Sequence, residues 1–313
     1  MLPYVHIMLT NTILSDLQKV PLISEAKLIT ISAELRKKFG PGLTKEVEAG
    51  RRHMTAYRFV YTSQGHAVIG YIVVPKKMSG RSPGVIYNRG GSGEFGMLRI
   101  AALFTGTVAA LVRAGHIVIA SQYSGVAGGE GADEMGGADL HDVLNLQKIL
   151  KRLRDCDAKK IGMCGFSRGG MMTYLSLAKV SWIKAAVVVG GPTNLHRQEK
   201  LRPEMKKHYI KMFGGSLEEK KKRSAVFWAH AFHKKTPLLI MHGGSDWRVS
   251  PLDSIELAGK LYENHIPCRL VLFEGGDHGL SEYKNESTNM IISWFERFLK
   301  NDEHLPNTKP HGS

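Results

Sequence analysis

The sequence predicts an α/β fold in which a mostly parallel central sheet has helices on both faces. Short apolar runs typical of buried strands alternate with longer segments of helical spacing, and this alternation favours parallel strands joined by helical crossovers. A chain of 313 residues with 43% hydrophobic residues can bury a large core as one domain. In the segment Gly165–Gly170 and its surroundings, an apolar strand, a sharp turn and a helix-like stretch follow each other directly.

The beginning of the chain predicts a helical arm. Apolar residues recur at helical spacing from Thr12 to Phe39, with an interruption at Pro21, and Gly40-Pro41-Gly42 predicts the end of the arm. We therefore assign residues 1–50 to the arm, residues 51–303 to the α/β domain and residues 304–313 to a flexible tail.

The α/β domain is predicted to open with a hairpin, because the apolar segments Tyr57–Tyr61 and Ala67–Val74 flank the turn residues Ser63-Gln64-Gly65. Strands and helices then alternate. The predicted elements are strand Gly84–Tyr87, a helix around Ile100–Arg113, strand His116–Ser121, helix Asp139–Leu153, strand Lys159–Cys164, helix Met171–Lys179, and strands Ile183–Val189, Leu238–His242 and Arg269–Phe273.

Ser167 lies at the turn between strand Lys159–Cys164 and the following helix, in a Gly-x-Ser-x-Gly pattern. Glycines two positions before and after the serine lack the Cβ atoms that would clash in so sharp a turn. The turn pushes the serine hydroxyl out above the sheet and directs the amide of Arg168 and the positive helix end at an anion formed there. Since this spacing also occurs in ordinary loops, the rest of the chain decides whether Ser167 is a nucleophile.

Two further residues complete the pattern that a nucleophilic serine requires. A serine needs a base within hydrogen-bond reach, and the base needs a third group to orient it. Asp246 follows strand Leu238–His242, and His278 follows strand Arg269–Phe273. Functional groups of open α/β sheets gather beyond the carboxyl ends of the strands, where all three residues are predicted to lie.

With these motifs and the segment Tyr87-Asn88-Arg89-Gly90-Gly91, the chain resembles the α/β-hydrolase fold. Within that fold it is similar to the catalytic domain of the prolyl oligopeptidase family of serine peptidases and esterases, from about Tyr57 to Leu299. The resemblance implies a catalytic triad of Ser167, Asp246 and His278. It also implies an oxyanion hole formed by the amide of Arg168 and by a donor in the loop after strand Gly84–Tyr87, for which we choose Gly90.

The chain departs from the family at two places. Many members carry His-Gly-Gly or Tyr-Gly-Gly where this chain has Arg89-Gly90-Gly91, which makes the Arg89 side chain a candidate for the substrate pocket. The large peptidases of the family also carry a long β-propeller domain, and the predicted N-terminal arm is too short to form one.

An insertion at residues 192–235 combines aromatic and basic residues, and it precedes the strand that leads to Asp246. The fold commonly places a cap over the site at this point, so one interpretation is a partial lid with Trp228 in the substrate pocket. The other is the simple packing of surface helices, because aromatic residues mostly become buried for hydrophobic reasons. For the Arg168 side chain, we expect a salt bridge to one of the loop carboxylates Glu94, Glu130, Asp133 or Glu134.

These residues predict a serine hydrolase that cleaves a small ester or an amide or peptide bond through an acyl-enzyme intermediate. The expected substrate is a small molecule or a short peptide, and the chemistry needs no cofactor or metal. The alternative is a non-catalytic binding protein that retains the fold. The order of residues does not indicate the oligomeric state.

Composition excludes other classes. The net charge of +15 is spread over several solvated clusters, without the aromatic-interleaved strand or zinc-finger spacing of nucleic-acid-binding proteins. No apolar run reaches the roughly 18 residues of a membrane span, and the N-terminus lacks the pattern of a signal peptide. Three cysteines, Cys156, Cys164 and Cys268, are too few and too odd in number for a disulfide framework, and two of them fall on or beside predicted buried strands. We therefore expect a cytoplasmic protein without nucleic-acid or membrane partners.

Overall fold

The structure, a computed structural model, describes residues 12–312. In this range, nine strands form one sheet. The strands are β1 (Ile23–Leu28), β2 (Met54–Ser63), β3 (His66–Pro75), β4 (Ser82–Asn88), β5 (Ile117–Ser121), β6 (Cys156–Phe166), β7 (Ala186–Val189), β8 (Leu238–Gly243) and β9 (Cys268–Phe273). Their order across the sheet is β1-β2-β3-β5-β4-β6-β7-β8-β9.

The sheet is mostly parallel, as the sequence predicts. Strands β4 to β9 run parallel, whereas β1, β2 and β3 pair in antiparallel fashion and β3 joins β5 antiparallel. The predicted hairpin between β2 and β3 is confirmed: Gln64 and Gly65 occupy its turn with φ values of 51° and 81°. Two positive φ values in a two-residue loop match the twist of the flanking strands.

Helices lie on both faces of the sheet. They are α1 (residues 12–18), α2 (Ala33–Arg51), α3 (Gly106–Arg113), α4 (Leu140–Leu150), α5 (Arg168–Lys179), α6 (Leu195–Leu201), α7 (Met205–Phe213), α8 (Leu217–Lys222), α9 (Pro251–Glu263) and α10 (Lys284–Phe295). Short 3-10 turns cover Ile100–Leu103, Ala225–Phe227 and Ala229–Ala231, and a π-helical turn, Glu296–Lys300, extends α10. In the described part of the chain, none of the helices combines the length and apolar character that crossing a bilayer requires.

The apolar core is divided between the two faces. Helices α4, α5 and α9 contribute Leu146, Met171 and Leu257 to one layer, while α3 and α10 contribute Leu111 and Phe295 to the other. The central strands are apolar almost throughout because both of their faces are buried, and all four residues of β7 are inaccessible to solvent or nearly so.

The predicted N-terminal arm is not helical throughout. Residues 23–28 form β1, which pairs with β2 at one edge of the sheet. The sequence hides this strand because only Ile23 and Ala26 are half-buried, while charged residues such as Glu25 and Lys27 face solvent. Charges of this kind are typical of an edge strand, which must avoid pairing with other chains. Helix α2 is interrupted at Gly40, where φ is 73°, but it resumes and continues to Arg51 beyond the predicted end.

Candidate active site

Ser167 occupies a strained turn between β6 and α5. Its φ of 54° and ψ of −123° lie outside the regions that residues with side chains ordinarily adopt. The flanking glycines allow this turn: a Cβ on Gly169 would lie 1.9 Å from the carbonyl oxygen of Asn88, and one on Gly165 would lie 2.2 Å from the carbonyl oxygen of Gly169. Backbone atoms cannot move aside as a flexible side chain could, so both positions require glycine.

The structure brings the three predicted residues into one hydrogen-bonded chain. His278 Nε2 lies 2.9 Å from Ser167 Oγ, and His278 Nδ1 lies 2.7 Å from Asp246 Oδ2. Asp246 follows β8 and His278 follows β9, so neighbouring parallel strands deliver them to the same edge of the sheet. The ring of Phe166 packs against the imidazole of His278 at a centroid distance of 5.2 Å.

Asp246 is held as a carboxylate by several donors. Its Oδ1 accepts the backbone amides of Arg248 and Val249 at 2.8 and 3.0 Å. Burial by itself would raise the pKa of Asp246, but the hydrogen bonds from His242 and His278 outweigh it and keep the pKa far below its usual range. Asp246 is therefore ionised throughout the neutral pH range.

His242 is a functional neighbour that the sequence does not reveal. It is fully buried at the end of β8, and its Nε2 lies 3.1 Å from Asp246 Oδ2 and 3.0 Å from the carbonyl oxygen of Val249. Two acceptors at Nε2 require the proton on that nitrogen, which leaves Nδ1 to accept the Ser254 hydroxyl at 2.7 Å. His242 thus donates to Asp246 Oδ2, the same oxygen that faces His278, and helps to fix the carboxylate.

The side chain of Arg168 joins the serine turn to the neighbouring loops. Its guanidinium forms two hydrogen bonds to Asp133 at 2.6 and 2.5 Å, and one to Asp139 at 2.6 Å. It also donates to the carbonyl of Gly91, and Asp133 accepts the amide of Gly93 at 2.7 Å. The expected salt bridge to Asp133 is present, whereas Asp139, in the loop just before α4, is a second partner that the sequence does not indicate.

The two carboxylates around Arg168 respond differently to burial. Burial raises the pKa of Asp139 to about 6, because the opposing effect of Arg168 is too small to cancel it and Asp133 adds a second negative charge. Burial also acts on Asp133, but there the cation of Arg168 prevails and the pKa is lowered. At neutral pH both are carboxylates, and Arg168 is shared between them.

Arg89 does not line the cavity at Ser167, so the structure gives no support to its assignment to the substrate pocket. Its side chain is buried, and its guanidinium donates to backbone carbonyls. The acceptors are Gln122 at 2.7 Å, Gly90 and Gly93 at 3.0 Å and Phe95 at 3.3 Å. Arg89 therefore folds the loop that follows β4 around its own guanidinium.

That loop carries the predicted second oxyanion donor. Gly90 packs against the serine turn, since a Cβ built on it would lie 3.3 Å from Ser167 Cβ. Gly91 has a φ of 72° and lies on the surface of the cavity that contains Ser167. The loop thus passes beside Ser167, and Arg89 binds the carbonyl oxygens of Gly90 and Gly91.

A cavity of about 670 Å³ opens at Ser167 and His278. The loop after β4 supplies one side of it, and the insertion supplies another through α6, α7 and the turn that joins them. The residues contributed by the insertion are Pro192, Gln198, Arg202, Glu204, Met205, His208, Lys211 and Met212. His208 Nε2 lies 3.3 Å from Ser92 Oγ and connects α7 to the loop after β4.

Trp228 does not line this cavity, so its assignment to the substrate pocket also has no support in the structure. Its indole nitrogen donates to the carbonyl of Lys221, and its ring packs on Phe232 at 5.8 Å. It borders a different cavity, together with Leu140 and Leu175 of α4 and α5. In the insertion, the sequence indicated the aromatic residue Trp228 as the candidate for the pocket. In the structure, helix α7 forms the wall of the cavity beside Ser167.

Comparisons with known proteins agree with this geometry. The sequence model of the prolyl oligopeptidase family matches residues 104–302. The chain is 27% identical over 255 residues to the uncharacterized peptidase YtmA of Bacillus subtilis, covering 80% of this chain and 95% of that protein. It is 24% identical over 292 residues to dipeptidyl-peptidase 5 of Porphyromonas endodontalis, covering 85% of this chain and 41% of that protein.

Among solved structures, an acylaminoacyl peptidase from Pyrococcus horikoshii superposes with a TM-score of 0.71 at 20% identity. The superposition covers 82% of this chain and 43% of that one. This chain therefore spans less than half the length of the acylaminoacyl peptidase and of dipeptidyl-peptidase 5, but nearly the full length of YtmA. The structural likeness establishes a shared fold.

Proposed function

The chain belongs to the prolyl oligopeptidase family, and we propose that Ser167, His278 and Asp246 are its catalytic triad. Membership makes it a serine hydrolase with the α/β-hydrolase fold. The observation that carries the proposal is the unbroken hydrogen-bonded chain from the Ser167 hydroxyl through the His278 imidazole to the Asp246 carboxylate.

The proton transfers follow from this chain. His278 Nε2 takes the proton of Ser167 Oγ as that oxygen attacks the substrate carbonyl. Asp246 accepts a hydrogen bond from the Nδ1–H group of His278, which leaves Nε2 free to act as the base, and its charge stabilises the imidazolium that forms. His278 then gives its proton to the leaving group, and water releases the acyl group from Ser167 by the same route in reverse.

The oxyanion of the tetrahedral intermediate is stabilised by backbone amides. The amide of Arg168 starts α5, where the helix dipole favours negative charge. The second donor is an amide of the Gly90-Gly91 turn, and Gly90 remains our choice because its backbone packs directly against the serine turn. Arg89 supports this arrangement from behind the loop and does not reach the reacting atoms.

The proposed substrates are short peptides, N-acylated amino acids or small carboxylic esters. Peptides and acylated amino acids are suggested by the names of the peptidases to which the chain is similar. A cavity of about 670 Å³ has room for a small molecule or for a few residues of a peptide. The same triad cleaves esters and amides, so the leaving group is a separate question that a substrate panel answers.

A cytoplasmic location fits the state of the cysteines. Cys156 and Cys164 are buried and Cys268 is half-buried, and all three are free thiols. Burial raises the pKa of Cys156 and of Cys164 to about 12, so both stay protonated and unreactive. Cell fractionation with an antibody against the protein tests this location.

Replacing Ser167 with alanine tests the triad. We expect kcat to fall by about 10⁴-fold or more on the best ester or aminoacyl amide of a panel, because the triad acts as a unit. Labelling by a fluorophosphonate probe should also be lost. The melting temperature should be preserved, since the hydroxyl contributes little to the core. Turnover like that of the wild type in the purified variant would reject Ser167 as nucleophile, and an inert wild-type protein would favour the non-catalytic alternative.

A further inference from the structure

The cavity at Ser167 has more cationic side chains in its wall than carboxylates. The cations are Arg168, Arg202, Lys211 and Arg248, and the carboxylates are Asp133 and Glu204. Both carboxylates already have a partner within the wall: Asp133 binds Arg168, and Glu204 accepts a hydrogen bond of 2.8 Å from Arg202. Two cations are therefore left over, namely Lys211 and Arg248.

Lys211 and Arg248 have no carboxylate within salt-bridge distance among the residues that the structure describes. The Arg248 guanidinium lies over the ring of Trp247 at 5.0 Å and the ring of Phe95 at 5.9 Å. Aromatic faces hold a guanidinium in place without using its N–H donors. Those donors therefore remain available at the cavity beside the nucleophile.

His208, on the α7 side of this wall, does not change the balance of charge at neutral pH. Burial, followed by the nearby Arg168 cation, lowers the pKa of His208, which is consequently neutral. His208 Nε2 is also within hydrogen-bond distance of Ser92 Oγ. The excess positive charge of the wall thus belongs to Lys211 and Arg248.

The rest of the wall is largely apolar. Phe95, Met135, Met205, Met212 and Val249 contribute to it. A ligand that matches this surface has a short apolar portion and a negatively charged group. A carboxylate suits a guanidinium especially well, because its two oxygens accept parallel N–H donors.

We propose that this cavity selects substrates bearing a carboxylate, which Lys211 and Arg248 bind while the carbonyl to be attacked lies at Ser167. The inference rests on the proposed function, because it names a substrate class for the same site. The carboxylate belongs either to the acyl cap of an N-acylated amino acid or to an acidic side chain of a short peptide. Both sources present the same group to the same two cations.

Binding to the inert Ser167→Ala variant tests the proposal independently of turnover. The first pair of ligands is N-succinyl-alanine p-nitroanilide and N-butyryl-alanine p-nitroanilide, which differ in whether the four-carbon cap ends in a carboxylate. The second pair is the p-nitroanilides of N-acetyl-glutamate and N-acetyl-glutamine. Calorimetry should give a Kd about tenfold lower for the charged member of at least one pair, as expected for charge-assisted hydrogen bonds at a half-exposed site. The pair that responds identifies the source of the carboxylate.

Matched variants locate the effect. In the Ser167→Ala background, the double change Lys211→Met and Arg248→Met should bring the Kd ratio of the responding pair close to one. Lys207→Met removes a charge from the same helix α7 but not from the cavity wall, and it should leave that ratio unchanged. Added salt should reduce the preference.

Equal Kd values within both pairs would overturn the proposal, and so would a preference that survives the double change. Failure of the proposed function is recognised separately, because it would show as absent turnover and absent labelling of the wild-type protein. The Kd ratio is measured without either of these activities.

Discussion

At the scale of single residues, the proposed mechanism depends on which nitrogen of His278 carries a proton. Asp246 Oδ2 lies 2.7 Å from Nδ1, so the carboxylate requires the proton there and leaves the lone pair on Nε2, facing Ser167. Asp246 keeps this role only because His242 and the amides of Arg248 and Val249 hold it in place. The orientation of the base is therefore determined by groups that take no part in the proton transfers.

Replacing Asp246 with asparagine should disable the base without disrupting the fold. An amide NH₂ group that faces Nδ1 favours the tautomer with the proton on Nε2, so we expect kcat to fall by about 10³- to 10⁴-fold. To check this expectation, kcat is measured with the substrate used for the Ser167→Ala variant, and the melting temperature is measured by circular dichroism.

Asp277 provides the matched control, because it directly precedes His278 in the chain but binds elsewhere. Its carboxylate accepts the amides of Gly279 and Ser281 and the Ser281 hydroxyl. Asp277→Asn should keep kcat within a few-fold of the wild type. The assignment of Asp246 would be abandoned if Asp277→Asn were the variant with the large loss and Asp246→Asn were nearly silent.

The sequence predicted the meeting of Ser167, Asp246 and His278 because each follows a strand of a parallel sheet, and such strand ends share one edge. It did not predict His242, since a histidine at the end of a buried strand has no local pattern that distinguishes a hydrogen-bonding role from packing. It also did not indicate the contacts of Arg89. An arginine beside two glycines resembles a ligand-binding residue, and only the folded loop reveals the carbonyl groups that surround it.

At the scale of elements, the loop after β4 is shaped by one buried guanidinium. Arg89 binds the carbonyls of Gly90, Gly93 and Phe95 within the loop and the carbonyl of Gln122 after β5, so one side chain joins the loop to the end of β5. If the oxyanion donor lies in this loop, a change at Arg89 should act on the transition state more than on substrate binding.

Arg89→Met should therefore lower kcat by roughly tenfold or more with little change in KM, since a displaced oxyanion donor is felt in the transition state. It should also lower the free energy of unfolding by about 1 to 3 kcal/mol, because buried carbonyls lose their donors. Arg89→Lys should restore little, since one ammonium cannot reproduce the fork of donors. Steady-state kinetics and urea unfolding measure both effects.

Arg99, an exposed arginine at the end of the same loop, is the control. Arg99→Met should leave kcat and stability close to those of the wild type. A normal kcat in a destabilised Arg89→Met protein would show that the loop can hold its position without the guanidinium, and would remove Arg89 from the support of the oxyanion hole.

Helices and strands could be predicted where their residues are buried on one face or on both faces. They were missed where polar side chains cover a strand that pairs in the sheet. The hairpin of β2 and β3 and the parallel strands follow from apolar runs between turn residues. Strand β1 is an edge strand. Because charged residues on it are exposed, it lacks the alternation of apolar and polar residues that would identify a strand in the sequence. In the insertion, α7 lines the cavity through alternating apolar and basic residues, a pattern that also describes an ordinary surface helix.

At the scale of the whole molecule, the pH dependence of stability depends on carboxyl groups whose pKa values the folded state shifts in opposite directions. The pKa of Asp246 is lowered in the folded state. Asp246 therefore stabilises the fold at pH values above its pKa in the unfolded chain, and this stabilisation is lost only in acid. Asp139 behaves in the opposite way, because burial raises its pKa to about 6. Its contribution is complete below the unfolded pKa near 3.8 and is lost as the pH rises through 6.

Asp139→Asn isolates this second contribution. Asparagine does not ionise, so the variant escapes the loss that the wild type suffers when Asp139 becomes charged in the core. Between pH 4.5 and pH 8, the free energy of unfolding of the wild type should fall relative to that of the variant by about 2 kcal/mol, whatever constant offset the lost hydrogen bond to Arg168 introduces. Urea unfolding of both proteins across this range measures the difference.

Asp277→Asn gives a control of opposite sign when the same measurement is extended below pH 4.5. Hydrogen bonds from the amide and hydroxyl of Ser281 lower the pKa of Asp277, so the wild type should gain stability relative to that variant as the pH rises through the acid range. The buried position of Asp139, with Arg168 shared between it and Asp133, is what makes its own trend run the other way. A difference between wild type and Asp139→Asn that stays constant from pH 4.5 to pH 8 would mean that Arg168 fully compensates the buried charge, and that Asp139 is ionised throughout this range.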